Sequence, residues 1–301
     1  MTVSPSPSFF WLWVMPVFLA VLWSTGFPVA KLGLPHAEPF TLLMWRYALT
    51  ALIFLVIAMA MGARWPRGRA PIGRTAFSGV ALLVGHMGGV FWAIQAGVNS
   101  GVVAIIIGAH PVLTAVAAGP YLGERVAARQ WLGFALGVAG TILVVSDKVA
   151  LAIGGLSGAM GCAVALFAIS INMLIQKRHG AAGDMMASNA IQTAAAAMVS
   201  GALALALESM AVDWTTTLIG ALAWMVLVLS VGALTLLYVM IQKGAASRLA
   251  AFFFLVAPAA VLEGYLMFDE RLTLAAVIGM AITAAGVFLV TAGGKTAGED
   301  A

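Results

Sequence analysis

The chain has 301 residues, of which 63% are apolar and 9% charged, and a formal net charge of +4; its mean hydropathy is +1.06. A soluble domain carries roughly 25% charged residues, so a water-soluble globule is excluded. The lone cysteine, Cys162, excludes an intramolecular disulfide.

The charges sit in short clusters between apolar runs of about 20 residues, the length a helix needs to cross a bilayer. In chain order the expected spans are Phe9–Ala30, Phe40–Met61, Phe77–Gly97, Val102–Leu122 and Gln130–Val145. The second half continues with Leu156–Ile175, Met185–Leu207, Leu218–Ile241, Leu249–Met267 and Leu272–Thr291. These runs are too long and too evenly apolar for the alternating strands of a β-barrel. The first lacks a basic leader and a small-residue cleavage site, and reads as a retained span. The expectation is an all-α membrane protein of ten transmembrane helices.

Loop charges orient the spans. Placing the loops alternately, with the N-terminus in the cytoplasm, puts Arg64, Arg67, Arg69, Arg74, Arg125, Arg129, Lys177, Arg178, Lys243, Arg248 and Lys295 on the cytoplasmic side. Lys31, Lys148 and Arg271 fall outside. That bias is the positive-inside signature, with both termini cytoplasmic. It accounts for the positive net charge without invoking nucleic acid.

The halves resemble each other. A shift of 147 residues lays Phe91 on Tyr238, Gln95 on Gln242, Gly97 on Gly244, Ser100 on Ser247 and Pro111 on Pro258. After a one-residue slip, Gly123-Glu124-Arg125 meets Asp269-Glu270-Arg271, Gly133 meets Gly279 and Gly140 meets Gly286. Residues 1–147 and 148–301 thus read as two five-helix repeats within one membrane domain. Five is odd, so the copies have opposite topology. Inverted repeats of this kind are how many carriers obtain inward-open and outward-open states around a midplane site. The expected activity is therefore transport of a small molecule across a lipid bilayer by alternating access.

The same segments resemble a known family. The Trp23-Ser24-Thr25-Gly26-Phe27 segment, Arg46 six residues after Phe40, and the Gly-Glu-Arg and Asp-Glu-Arg turns, each leading to a Gly-x6-Gly helix, resemble signatures of the drug/metabolite transporter superfamily. Within it the chain is similar to the ten-helix EamA-type exporters, most of all those for aromatic amino acids. Asp269 departs from the glycine usual in the second turn. The resemblance implies a multi-pass exporter of the bacterial inner (plasma) membrane, with aromatic or large neutral amino acids as the expected substrate class. Drug or organic-cation export within the same superfamily is the alternative.

Candidate site residues follow from what an apolar span tolerates. Arg46 and Glu263 are intramembrane charges and mark function or a fixed ion pair. His86 and His110 fall near mid-membrane and are candidate proton or substrate groups. Trp23, Ser24, Phe27, His86, Phe91, Trp92, Gln95, Tyr238 and Gln242 are the expected substrate-binding set. Phe167, Asn172, Asn189 and Gln192 join the lining if their faces turn inward. Pro111 and Pro258 occupy matched positions and are expected hinges, because proline frees a carbonyl one turn earlier. No spacing supports a metal site, and no cofactor or enzymatic activity is expected. Protons are candidate co-substrates, and a duplicated chain can close its pathway as a monomer. Gly155-Leu156-Ser157-Gly158 spells the Gly-x-Ser-Gly pattern of a serine hydrolase, which leaves an intramembrane protease as a remote alternative.

Overall fold

The computed structural model describes residues 14–98, 100–123, 127–145, 155–179, 183–242, 255–268 and 273–292. Among them there is no strand, only an isolated bridge between Ala37 and Val212. The helices are α1 (Met15–Gly33, with a turn at Thr25), α2 (Pro39–Ala60), α3 (Arg69–Gln95) and α4 (Ser100–Gly108 and His110–Leu122, either side of Ala109). They continue with α5 (Ala128–Val145), α6 (Gly155–His179), α7 (Met185–Leu207), α8 (Thr216–Ala223 running on through Trp224–Ala233 into Leu234–Gln242), α9 (Val256–Phe268) and α10 (Leu274–Ala292). Six of these, α1, α2, α3, α6, α7 and α8, contain runs long and apolar enough to cross a membrane. Their outward faces are apolar too: Leu52, Met198 and Leu205 are 59–75% exposed, a surface only lipid solvates without cost.

Several ends differ from expectation. α3 starts at Arg69 rather than Phe77, so the arginine-rich segment already forms its first turns. α6 runs on to His179, beyond Ile175. The starts of the first and ninth expected spans and the Gly-Glu-Arg and Asp-Glu-Arg turns beyond Gly123 lie outside the described residues. Gly123 itself caps α4 in the left-handed conformation, φ +72°, a geometry that glycine adopts without a Cβ clash.

Antiparallel pairs organise the bundle. α2 and α7 run side by side, and both ends of the pair are tied. At one end the Glu208 carboxylate accepts the backbone N–H groups of Phe40 and Thr41 and the Thr41 hydroxyl, each at 2.7 Å. These are first-turn donors of α2 that would otherwise lack partners. At the other end Asp184 accepts the Arg64 N–H at 2.6 Å, while Gly183, φ +78°, approaches so closely that a Cβ there would lie 2.9 Å from the Arg64 carbonyl oxygen. α5 and α10 pair through glycines: a Cβ on Gly133 would lie 2.9 Å from the Gly286 carbonyl oxygen, and one on Gly140 would lie 2.7 Å from that of Gly279. Small residues let helix backbones meet in lipid, where dispersion rather than water exclusion drives association.

Two helices carry a wide turn. Val80–His86 in α3 and Trp224–Ala233 in α8 are π-helical. In the first of these, the Leu83 carbonyl accepts the Tyr47 hydroxyl at 2.9 Å, tying α2 to α3.

Candidate functional site

The two π-helical stretches face a common cavity between α1, α2, α3, α4 and α8, with Ile169 of α6 and Val256 of α9 on its wall. Wide turns of this kind re-aim side chains and recur at functional sites. Here they deliver Leu82, Leu83 and His86 from α3, and Leu229 and Ser230 from α8. The cavity measures about 60 Å³, room for a few water molecules. An amino acid enters only if the walls move apart.

Its lining is mostly apolar, with four convergent polar groups: Arg46, His86, His110 and Ser230. Arg46 is 6% exposed, its Nε donates to Ser230 Oγ at 3.1 Å, and its guanidinium carbon lies 5.3 Å from the centre of the Tyr47 ring. That is the guanidinium's one hydrogen bond among the described residues, and five N–H donors are available to it. His86 Nδ1 lies 3.3 Å from the Ala165 carbonyl oxygen and His110 Nδ1 lies 3.0 Å from that of Ile107. A carbonyl only accepts, so each Nδ1 is the protonated nitrogen, and Nε2 is the acceptor in the neutral ring.

Of the expected binding residues, Trp23, Phe27, His86 and Phe91 line this cavity. Trp92 and Gln95 do not. Trp92 donates from Nε1 to Ser157 Oγ at 2.8 Å and packs 5.8 Å from Phe40, and Gln95 is exposed at the end of α3. Ser24 is buried away from the lining and bonded to Glu263. The side chains of Tyr238 and Gln242 lie outside the described residues. Phe167 is 56% exposed on the outer surface, so it packs on lipid rather than on substrate. Asn172 accepts from Ser78 at 2.6 Å inside the α3–α6 contact, and Gln192 sits against Gly79 in the α3–α7 contact.

The suggested ion pair between Arg46 and Glu263 does not form. Arg46 is held by Ser230 of α8, whereas Glu263 Oε1 is 2.6 Å from the Ser24 hydroxyl of α1. Depth alone brought the two charges together in sequence; the helices carry them to different neighbours. Pro111 falls in the first turn of a helical segment, directly after the break at Ala109. A proline there costs no hydrogen bond, so it marks where a segment begins rather than a kink inside one, while the residues leading into the segment of Pro258 lie outside the described ones. Ser157 bonds Trp92 rather than a histidine, so it has no base to activate it. Sequence reasoning gave no special place to Leu82, Leu229, Gly108 and Val256, which complete the wall.

Among the described residues no cluster of His, Cys, Asp or Glu could hold a metal ion.

Comparison with known proteins gives this arrangement a context. Residues 10–146 match the model of the EamA-like transporter family. The "Uncharacterized transporter YvbV" of Bacillus subtilis is 24% identical, the match covering 92% of this chain and 90% of that protein. The "Probable terminal-alkyne amino-acid exporter" of Streptantibioticus cattleyicolor is 25% identical, over 93% and 92% of the two chains. A solved crystal structure superposes with a TM-score of 0.72 at 16% identity, covering 93% of this chain and 96% of its own, a likeness in fold alone. The chain is a multi-pass membrane protein whose first half, residues 10–146, matches the EamA-like transporter family and whose full length is similar to proteins named as transporters.

Proposed function

We propose that the protein exports amino acids or similar carboxylate-bearing, amphipathic metabolites by alternating access around the Arg46 cavity. The observation that carries this reading is a guanidinium held by one serine at the wall of a largely apolar cavity. A guanidinium recognises a carboxylate through paired N–H donors. Trp23, Phe27 and Phe91 offer surface for an apolar side chain, and His86 and His110 bring acceptors for an ammonium group. The full-length relative named as a "Probable terminal-alkyne amino-acid exporter" points the same way.

Alternating access by two inverted repeats is supported by pseudo-symmetric detail. Glu38 precedes α2 and bonds the Ser209 N–H beyond the end of α7, while Asp184 precedes α7 and bonds the Arg64 N–H beyond the end of α2. The Gly133–Gly286 and Gly140–Gly279 contacts are exchanged by the same two-fold relation. The π-helical stretch of α3, shifted by 147 residues, falls within that of α8. Ten spans with both termini in the cytoplasm of a bacterial inner (plasma) membrane complete the proposal, together with Pro111 and Pro258 as pivots and a monomeric pathway.

Export of organic cations is the weaker reading. It needs a carboxylate in the cavity, and among the described lining residues there is none. Proteoliposomes loaded with labelled phenylalanine decide between them: saturable efflux, competed by large neutral amino acids and not by a lipophilic cation, is the expected outcome. Efflux of the cation alone sinks the amino acid reading.

A further inference from the structure

The hydroxyl of Ser24 has two short neighbours, the Val21 carbonyl oxygen at 2.7 Å and Glu263 Oε1 at 2.6 Å. A serine hydroxyl owns one proton and makes one such bond as donor. The Val21 oxygen carries no proton, so if Ser24 donates to it, the short contact with Glu263 must be made by a proton on the carboxyl. Conversely, if Ser24 donates to a carboxylate, Val21 O is left 2.7 Å from an oxygen lone pair. The surroundings favour the first arrangement. Glu263 is partly buried, and its Oε2 atom is enclosed with no hydrogen-bond partner among the described residues, a position in which a charged carboxylate oxygen would lack a compensating donor.

Among the described residues, no charged group on the helices packed against α9 forms an ion pair with Glu263. α1 carries Lys31, seven residues beyond Ser24; the first segment of α4 and all of α10 carry no titratable side chain; α5 carries Arg129 in its first turn; and α4 carries His110 only in its second segment. On α9 itself the other titratable group is Tyr265. Among the described residues none of these pairs with Glu263.

We infer that Glu263 is a proton-binding site, occupied in this conformation, whose proton release loosens the α1–α9 seam. The protonated carboxyl donates to Ser24 Oγ, and Ser24 donates to Val21 O, so that neither helix exposes a charge to the other. Loss of the proton to water leaves a carboxylate that Ser24 satisfies only by abandoning Val21, with Oε2 still bare. α1 and α9 must then part to admit water. The cavity lining includes Trp23, the residue before Ser24, and Phe27, one turn on, so the seam and the cavity share a wall. By linkage, a solute that moves this wall changes the affinity for the proton, and the proton changes the affinity for the solute by the same factor. This rests on the transport reading above, and it makes the exporter proton-coupled.

The test uses the full chain in proteoliposomes and two readouts. Infrared difference spectra at neutral pH, wild type against Glu263→Gln, are expected to contain the carbonyl band of a protonated buried carboxylic acid. In Ser24→Ala that band is expected to remain and to shift, because the acid loses its acceptor. Absence of the band in the wild type overturns the proposal. The second readout is transport of labelled phenylalanine. Glu263→Gln, whose amide keeps a donor for Ser24, is expected to retain exchange without a gradient and to lose accumulation driven by a pH gradient. Gradient-driven accumulation that survives in Glu263→Gln overturns the coupling. A wild type that moves no amino acid overturns the substrate reading instead, and the infrared band then decides the proton site by itself.

Discussion

The Glu38 carboxylate accepts both the backbone N–H of Ser209, at 2.7 Å, and its hydroxyl, at 2.6 Å. The bond closes α2 onto the far end of α7, beside the three bonds that Glu208 makes to the α2 N-terminus. At the same end Asp213 contacts His36 at 3.3 Å and donates its backbone N–H to the His36 carbonyl at 2.8 Å. This end of the α2–α7 pair is therefore a polar latch on an otherwise apolar bundle.

Removing the latch tests its weight. Glu208→Ala removes three hydrogen bonds, from two backbone donors and a hydroxyl to two carboxylate oxygens, and takes a negative charge from a helix N-terminus. We expect a loss of about 1–3 kcal/mol, the cost of leaving partly buried donors unpaired, read as a lower melting temperature in detergent. Glu208→Gln keeps acceptor capacity and is expected to lose less. An unchanged melting temperature in Glu208→Ala would show that water replaces the carboxylate at no cost.

The α5–α10 contact makes a second prediction. A methyl group on Gly140 meets the Gly279 carbonyl oxygen at 2.7 Å and the Thr283 backbone nitrogen at 2.5 Å, neither of which can swing aside. Gly140→Ala must therefore push the helices apart, at about 1–3 kcal/mol for overpacking. Gly220 on α8 has nothing within 4 Å of a built Cβ, so Gly220→Ala serves as the control. There the gain in helix propensity, about 1 kcal/mol, has no clash to oppose it. Equal melting temperatures for the two variants would contradict the close packing.

The sequence made the membrane class and the six long apolar helices legible, because both rest on length and composition. It did not show which face of each span turns inward. In a soluble helix the polar face marks the outside, but here lipid is as apolar as the core, and nothing in the sequence separates Phe91 from Trp92. Successive residues on a helix point about 100° apart, so one lines the cavity while its neighbour turns to Ser157. The π-helical stretches were invisible for a related reason: Val80–His86 is an ordinary apolar string whose wide turn is set by tertiary packing. Arg46 was legible because a charge in a span is rare enough to stand out; its partner Ser230 was one of many small polar residues.

The cavity can be located by adjacent substitutions. Phe91→Ala removes a wall residue that is 2% exposed and is expected to lower transport of phenylalanine. Trp92→Phe loses only the bond to Ser157, in a partly open position, and is expected to leave transport near wild type, as is Gln95→Ala. The readout is initial efflux rate per reconstituted molecule. If Trp92→Phe is as impaired as Phe91→Ala, the pathway runs along the α3–α6 contact instead.

Arg46 provides the sharpest test of substrate chemistry. Hydrogen bonds to charged groups contribute about 1.5–3 kcal/mol each, so losing the guanidinium should weaken carboxylate recognition by roughly tenfold or more. Arg46→Gln keeps a donor toward Ser230 while removing the positive charge, and Arg46→Lys keeps the charge while losing the planar fork. We expect the half-saturation concentration for phenylalanine to rise in both, more in Arg46→Gln. The wild type should discriminate phenylalanine from phenylalaninamide, which lacks the carboxylate, and Arg46→Gln should not. Because the amide shares the ring and the amine, lost discrimination isolates the carboxylate contact from any general loosening of the fold. If Arg46→Gln still prefers the acid by the wild-type ratio, then Arg46 serves the packing of α2 against α8, and the substrate carboxylate is read elsewhere.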